Sequence, residues 1–144
     1  MYKIVGCVFL IFSMILFFYR RCISFYCTYR YIGYILILLD DMKIACMYGK
    51  TYKPVFESFE HQMKNDLFFK ICFTFCSEKL KSETDSILTN SGKRVKEDEE
   101  IYLERNKQLL KDKYTENMTK FKENSKISLL MGFYVAIVII LLIV

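Results

Sequence analysis

The fold class is decided by residues 127–144, ISLLMGFYVAIVIILLIV, which contain no charged side chain. As a helix this stretch is roughly 27 Å long, close to the roughly 30 Å thickness of a bilayer's hydrocarbon core. A helix in a soluble core rarely stays apolar on every face for this length. The stretch therefore predicts a C-terminal transmembrane anchor, directly preceded by Lys120, Lys122 and Lys126. The side chains expected to form the anchor are Ile127, Leu129, Leu130, Phe133, Val135, Ile137, Ile139 and Leu141.

The acidic residues divide the chain into an apolar head, a charged middle and this apolar tail. All 16 lie between Asp40 and Glu123, so residues 1–39 are as free of acid as the tail. Carboxylates are costly to place in hydrocarbon, so residues 1–39 are interpreted as one or more N-terminal membrane segments. The net charge of +5 comes mostly from the head, and the middle is nearly neutral. A nucleic-acid-binding protein would carry its positive charge on the folded middle, so no nucleic-acid partner is expected.

The head has one clear apolar segment and one ambiguous segment. Residues 4–19 carry no charge and end at Arg20 and Arg21, so they form either the apolar region of a cleaved signal peptide or, as we favour, a short span that is retained in the protein. Residues 22–39 are apolar but include Arg30 and several tyrosines. They form either a second span or, as we favour, an interfacial or re-entrant segment. One basic cluster follows the N-terminal segment (Arg20, Arg21 and Arg30), and the other is the group of lysines before residue 127. With a single N-terminal span, both clusters face the cytoplasm, so the middle is expected to be cytoplasmic.

Residues 40–92 are predicted to be helical. Pro54 stands where a helix starts, and four apolar residues follow at helical spacing: Phe56, Phe59, Met63 and Leu67. Residues 67–76, LFFKICFTFC, form an apolar patch that is too short to span a bilayer and needs burial elsewhere. Cys72 and Cys76 are one helical turn apart, a spacing that favours packing over redox chemistry. Asn90, Ser91 and Gly92 indicate a turn.

Residues 93–126 form the most regular amphipathic pattern in the chain. Without an internal proline or glycine, they are predicted to be one helix continuous with the C-terminal anchor. Its apolar stripe is the candidate partner-binding face and consists of Tyr102, Leu103, Leu109, Leu110, Tyr114, Met118 and Phe121. Two interpretations of this stripe stay open. It packs on a helix over residues 54–88, or it forms a coiled coil with a partner protein.

The sequence contains no motif that indicates an enzyme. It has no glycine-rich phosphate loop and no G-x-S-x-G or H-E-x-x-H pattern, and His61 is its single histidine. His61, Cys72 and Cys76 match no familiar zinc spacing, so no metal is expected. We expect no catalytic residue, no cofactor and no small-molecule substrate.

These observations predict an all-α membrane protein with short apolar span(s) at the N-terminus. The first hypothesis is a membrane-anchored protein that binds or tethers a partner helix beside the bilayer, and the second is an accessory subunit of a larger membrane complex. Residues 93–144 also resemble the SNARE arrangement, in which a cytoplasmic helix runs into a C-terminal anchor, with Gln108 near its middle. That resemblance implies a role in membrane trafficking. The layers next to Gln108 depart from the SNARE pattern because they contain Glu104, Lys111 and Asp112.

Overall fold

The protein is all-helical over the part of the chain that the structure describes. The computed structural model describes the backbone of residues 2–143, and their side chains except those of residues 2–4, 7, 10, 136, 139, 140, 142 and 143. These residues form five helices and no strand: α1 Tyr2–Met47, α2 Lys53–Asn65, α3 Leu67–Phe75, α4 Glu78–Asn90 and α5 Lys96–Ile143. The prediction of an all-α chain with an apolar N-terminal helix is confirmed.

The N-terminal apolar sequence is one long helix. Helix α1 continues through Arg20, Arg21 and Arg30 to Met47 without a break. The expectation of a separate interfacial or re-entrant segment over residues 22–39 is therefore wrong, whereas the short span over residues 4–19 stays a prediction. The physical reason is that residues 22–46 are packed by neighbouring helices of the same chain, and their buried side chains include Tyr31, Ile32 and Met42. A helix packed in this way needs an apolar surface as broad as that of a membrane segment.

Helices α1 and α5 form an antiparallel pair that organises the whole fold. Helix α5 has 48 residues and is about 72 Å long. Near its start, Lys96 Nζ donates a hydrogen bond of 2.8 Å to the carbonyl oxygen of Met47. Farther along, the ring of Tyr114 contacts that of Tyr29, and the ring of Phe121 contacts that of Tyr26 at 5.3 Å. The contacts advance on α5 as they retreat on α1, so the two chain ends lie at the same pole of the molecule.

Two interhelical ion pairs fix the register of this antiparallel pair. Lys107 Nζ lies 2.5 Å from Asp40 Oδ1, and Lys43 Nζ lies 2.5 Å from Glu104 Oε2. Because each helix contributes one acid and one base, a shift of one turn would separate both pairs. Partly exposed ion pairs contribute little to the free energy of unfolding. Their main effect is to favour this register of the two helices over a shifted one.

Residues 53–90 form three short helices, so the expectation of a single helix over residues 54–88 is wrong. Pro54 is in the first turn of α2, as its fixed φ favours, and α2 ends before Asp66. Asp66 has an extended backbone, and its Oδ1 accepts hydrogen bonds from the N–H groups of Phe68 and Phe69 at 2.8 and 3.1 Å. This capping begins α3 in a new direction. Ser77 caps α4 in the same way by accepting from the N–H of Leu80.

The core lies between α1, α5 and the three short helices. Its buried side chains are Cys27, Tyr31, Ile32, Ile35, Leu38, Leu39, Met42, Cys46, Cys72, Cys76, Leu80, Leu103 and Leu110. One buried polar contact joins α1 to α4, where the Tyr31 hydroxyl lies 2.9 Å from Thr84 Oγ1. Burial of both groups makes this hydrogen bond specific for the alignment of the two helices.

The turns at the pole opposite the chain ends depend on two glycines. Gly49 follows α1 with φ +65°, and Gly92 follows α4 with φ +80°. The Gly92 N–H donates a 2.8 Å hydrogen bond to Glu99 Oε1, and the Tyr52 hydroxyl donates to the same oxygen at 3.3 Å. Glu99 is 2% exposed, so its carboxylate holds this turn from inside the fold. The predicted turn at residues 90–92 is confirmed.

Candidate membrane and partner interface

The pole that carries both chain ends exposes an unusual amount of apolar surface. On α1 the exposed apolar residues include Val5, Val8, Phe9, Phe12, Met14, Ile15, Leu16, Phe17 and Tyr19. On α5 they include Ile127, Leu129, Leu130, Phe133, Tyr134, Ile137, Val138 and Leu141. We call these two helix ends, residues 5–19 and 127–141, the apolar stalk. A water-soluble surface rarely exposes a continuous apolar region of this kind.

Among the described side chains of the stalk, the half-buried ones form a narrow seam. On α1 the half-buried residues are Ile11 and Phe18, which are seven residues apart and share one face. On α5 they are Ser128, Met131 and Val135, at steps of three and four. Each helix thus turns one face inward and leaves the rest of its apolar circumference uncovered.

The length and apolar composition of α1 are those of a membrane span. Among the described residues, one helix qualifies as long and apolar enough to cross a membrane, and it is α1 over Ile11–Met47. A buried core helix or a signal sequence meets the same criterion, so the pattern of exposure along the helix is the more discriminating observation. Between residues 5 and 21 the described side chains of α1 are exposed except for the half-buried Ile11 and Phe18, whereas residues 22–46 carry its buried face.

Of the eight predicted anchor residues, the structure describes the side chains of seven. Ile127, Leu129, Leu130, Phe133, Ile137 and Leu141 are exposed, and Val135 is half-buried. The Ile139 side chain lies outside the described residues, as does Val144. The whole stretch up to Ile143 continues α5 without interruption.

Four exposed basic residues lie near the base of the stalk. From the contact between Tyr26 and Phe121, Arg21 and Lys126 each lie five residues farther toward their chain ends. Five residues correspond to about 7.5 Å of helix, so both charges lie at the same level. We call Arg20, Arg21, Lys122 and Lys126 the basic collar. None of the four makes an ion pair within the described residues.

The predicted partner-binding stripe already has a partner inside the chain. Leu103 and Leu110 are 1% and 2% exposed in the core against α1, and Tyr102, Tyr114, Met118 and Phe121 are half-buried. Leu109 differs from its neighbour because it is 54% exposed. The structure therefore brings six of the seven residues toward the core and leaves Leu109 on the surface.

A surface groove between α4 and α5 contains that exposed leucine. The groove has a volume of about 530 Å³, and the residues lining it include Ser86, Ile87, Asn106 and Leu109. Ile101, two turns earlier on α5, is also exposed. Leu109 and Ile101 are the large apolar side chains of α5 that are exposed outside the stalk.

The cysteines of α3 and its C-terminus are packing residues. Cys72 and Cys76 are both buried in the core. Burial raises the pKa of the Cys72 thiol to about 12 and that of the Cys76 thiol to about 11. A thiol with such a pKa is almost entirely protonated at neutral pH and is a poor nucleophile.

The remaining residues that the sequence pointed out lie apart from one another. Arg30 is exposed, and its guanidinium carbon lies 5.5 Å from the centre of the Phe68 ring. The Gln108 side chain is exposed on α5 and donates a 3.0 Å hydrogen bond to Asp112 Oδ1. His61 is exposed on α2. Among the residues that the structure describes, no three histidine, cysteine or acidic side chains are grouped to hold a metal ion.

The sequence predicts that both basic clusters face the cytoplasm, but it does not bring them together in one collar, because its members are about 100 positions apart in the chain. The signal that could have found it is the matching distance of each basic pair from its apolar segment. An antiparallel pairing of the two ends would then have been predicted to bring the pairs together.

No family model, curated protein or solved structure matches this chain.

Proposed function

We propose that this is a membrane-anchored interaction protein whose two helix ends enter the same bilayer from the same side. The observation that carries the proposal is the antiparallel register of α1 and α5, which gathers both apolar ends in one stalk at one pole. In a bilayer, lipid would cover the exposed apolar side chains of the stalk, whose contact with water is unfavourable. The helical bundle, residues 22–126, would then stand beside the membrane on the side of the basic collar.

The position of the basic collar supports a cytoplasmic bundle. Positively charged residues next to a span prefer the cytoplasmic side. Arg21 on α1 and Lys126 on α5 lie at one level, so a single orientation satisfies both ends. In this topology both chain ends lie on the far side of the bilayer.

The experiment that tests the anchoring is a topology map of the full chain. Short tags carrying a glycosylation site are placed at both ends, and a protease site is placed in the turn at residues 91–94. We expect both tags to be glycosylated and the turn to be cut only from the cytoplasmic side. Tags on opposite sides of the membrane, or a chain released by carbonate extraction, would refute the two-ended anchor.

The exposed part of α5 is the partner contact in this proposal. Leu109 projects from the groove between α4 and α5, and removing its neighbour Leu110 would disturb the core instead. A Leu109→Asp change should weaken recovery of the partner from solubilised membranes. Thr115→Asp is the matched control, because Thr115 is also exposed on α5 but lies on another face. Equal recovery with both variants would refute this contact.

An accessory subunit of a larger membrane complex is the second candidate. It is favoured by the exposed apolar side chains of α3, which a neighbouring subunit could cover. After mild solubilisation, such a subunit would migrate with its complex. A tethering protein would be recovered separately, because its partner binds and dissociates reversibly.

A further inference from the structure

Helix α3 is apolar around most of its circumference, and the fold buries only one side of it, with Phe68 at the edge against Tyr26. Its inner face packs on α1 through Phe69, Cys72 and the adjoining Cys76. Its outer face consists of Leu67, Phe68, Ile71 and Phe75, which are between 36% and 71% exposed. We call these four residues the α3 outer face. A surface that faces only water rarely exposes four large apolar side chains on a nine-residue helix.

The α3 outer face lies next to the basic collar. The Phe68 ring contacts the Tyr26 ring at 5.9 Å, and Tyr26 in turn contacts Phe121. Arg21 is five residues beyond Tyr26 on α1, which is about 7.5 Å along the helix. The outer face is therefore within about two helical turns of the point where the stalk begins.

The charge around this region is predominantly positive. The basic collar contributes four cations, and the acidic residues nearby are Glu123 on α5 and Asp66 at the start of α3. Arg30 lies over the Phe68 ring, and Lys70 is exposed on α3 itself. Unpaired basic side chains beside exposed aromatic and aliphatic ones are the combination that binds the headgroup region of an anionic bilayer.

We propose that the α3 outer face docks on the surface of the bilayer that holds the stalk, with the basic collar and Arg30 binding anionic lipid headgroups. The inference rests on the membrane anchoring proposed above. Amphipathic surface helices bury their apolar side chains about 5–10 Å into the boundary between headgroups and acyl chains. The Phe68 ring lies about 7.5 Å from the collar on the bundle side, so stalk and α3 engage one bilayer together when the long collar side chains reach back from their helices to the headgroups.

The chain contains no tryptophan, so a single introduced one reports its own surroundings. Three full-length variants are reconstituted in vesicles: Ile71→Trp on the outer face, Phe133→Trp in the stalk, and Ile101→Trp as the control. Ile101 is exposed on α5 near the pole opposite the stalk. Each variant is measured in zwitterionic vesicles and in vesicles with a third of anionic lipid, with and without brominated acyl chains that quench nearby tryptophan.

We expect the Ile71→Trp and Phe133→Trp variants to lose most of their emission with brominated lipid, and Ile101→Trp to lose little. Quenching of Ile71→Trp should be stronger with anionic lipid and should fall when Arg20→Gln and Arg21→Gln are added. If Phe133→Trp is quenched and Ile71→Trp is not, the docking of α3 is refuted while the anchoring stands. If neither is quenched, the anchoring itself fails. Equal quenching of Ile71→Trp in both lipids would overturn the role of the collar.

A partner protein or a second copy covering α3 gives a different result. The Ile71→Trp emission would then be shifted to the blue but would not respond to brominated lipid, and the proposal would be overturned. Because Ile71 is partly exposed, we expect the variant to fold, and its helical circular dichroism before reconstitution checks this.

Discussion

Leu110 and Leu109 provide the sharpest test of how α5 packs on α1. The two leucines are adjacent in sequence, yet Leu110 is 2% exposed in the core and Leu109 is 54% exposed. Replacing Leu110 by alanine removes buried methyl groups and leaves a cavity, which costs about 2–5 kcal/mol in well-packed cores. The same change at Leu109 should alter the free energy of unfolding by about 0.5 kcal/mol or less.

The assay uses the buried thiol of Cys72, which is fully excluded from solvent in the folded chain. The reconstituted protein is exposed to a thiol reagent, and modification of the Cys72 peptide is followed by mass spectrometry. If the bundle opens and closes rapidly, the labelling rate reports the open fraction. A loss of about 3 kcal/mol then corresponds to a rate increase on the order of a hundredfold.

The Leu109→Ala variant is the internal control, since its labelling rate should stay within about threefold of the natural protein. Equal acceleration by both changes would mean that α5 is not rotated as described, because either leucine would then share the burial. No acceleration by Leu110→Ala would refute the claim that α5 closes the core over α1.

Three further predictions follow from charges and turns. Hydrogen bonds from backbone N–H groups of α3, and to a lesser extent from a tyrosine hydroxyl, hold the pKa of Asp66 below its ordinary 3.8. The ionised carboxylate therefore stabilises the fold above pH 3.8, and this contribution is lost as the pH falls through the lower pKa of the folded state. Thermal melts at a series of acidic pH values should show this loss, and Asp66→Asn should remove that part of the pH dependence. Gly92→Ala should destabilise by more than Gly49→Ala in denaturant titrations, because both have positive φ, but only at Gly92 would the new Cβ meet a tyrosine ring, at 3.3 Å. Exchanging Asp40 and Lys107 by a double substitution should restore most of the stability that either single change loses, and an additive loss in the same titration would contradict the ion pair.

The sequence alone determined the local features of this chain. Pro54 and the capping side chains start helices, and Gly92 permits the left-handed turn that ends α4, because these effects depend on a few neighbouring residues. The length of α5 also followed from an uninterrupted helical pattern. The apolar patch over residues 67–76 is predicted to be helical, and α3 covers Leu67–Phe75.

Only the tertiary structure decided what each apolar surface faces. Periodicity identifies the face of a helix that avoids water, but it does not identify the surface that covers it. Residues 22–39 show why, since a segment surrounded by packed helices and a segment surrounded by lipid need the same apolar composition. The spacing of Leu103 and Leu110 likewise indicates a face that avoids water, and the tertiary structure shows that α1 covers it. The antiparallel register that joins Arg21 and Lys126 at one level depends on contacts between residues far apart in the chain, and no local pattern contains that information.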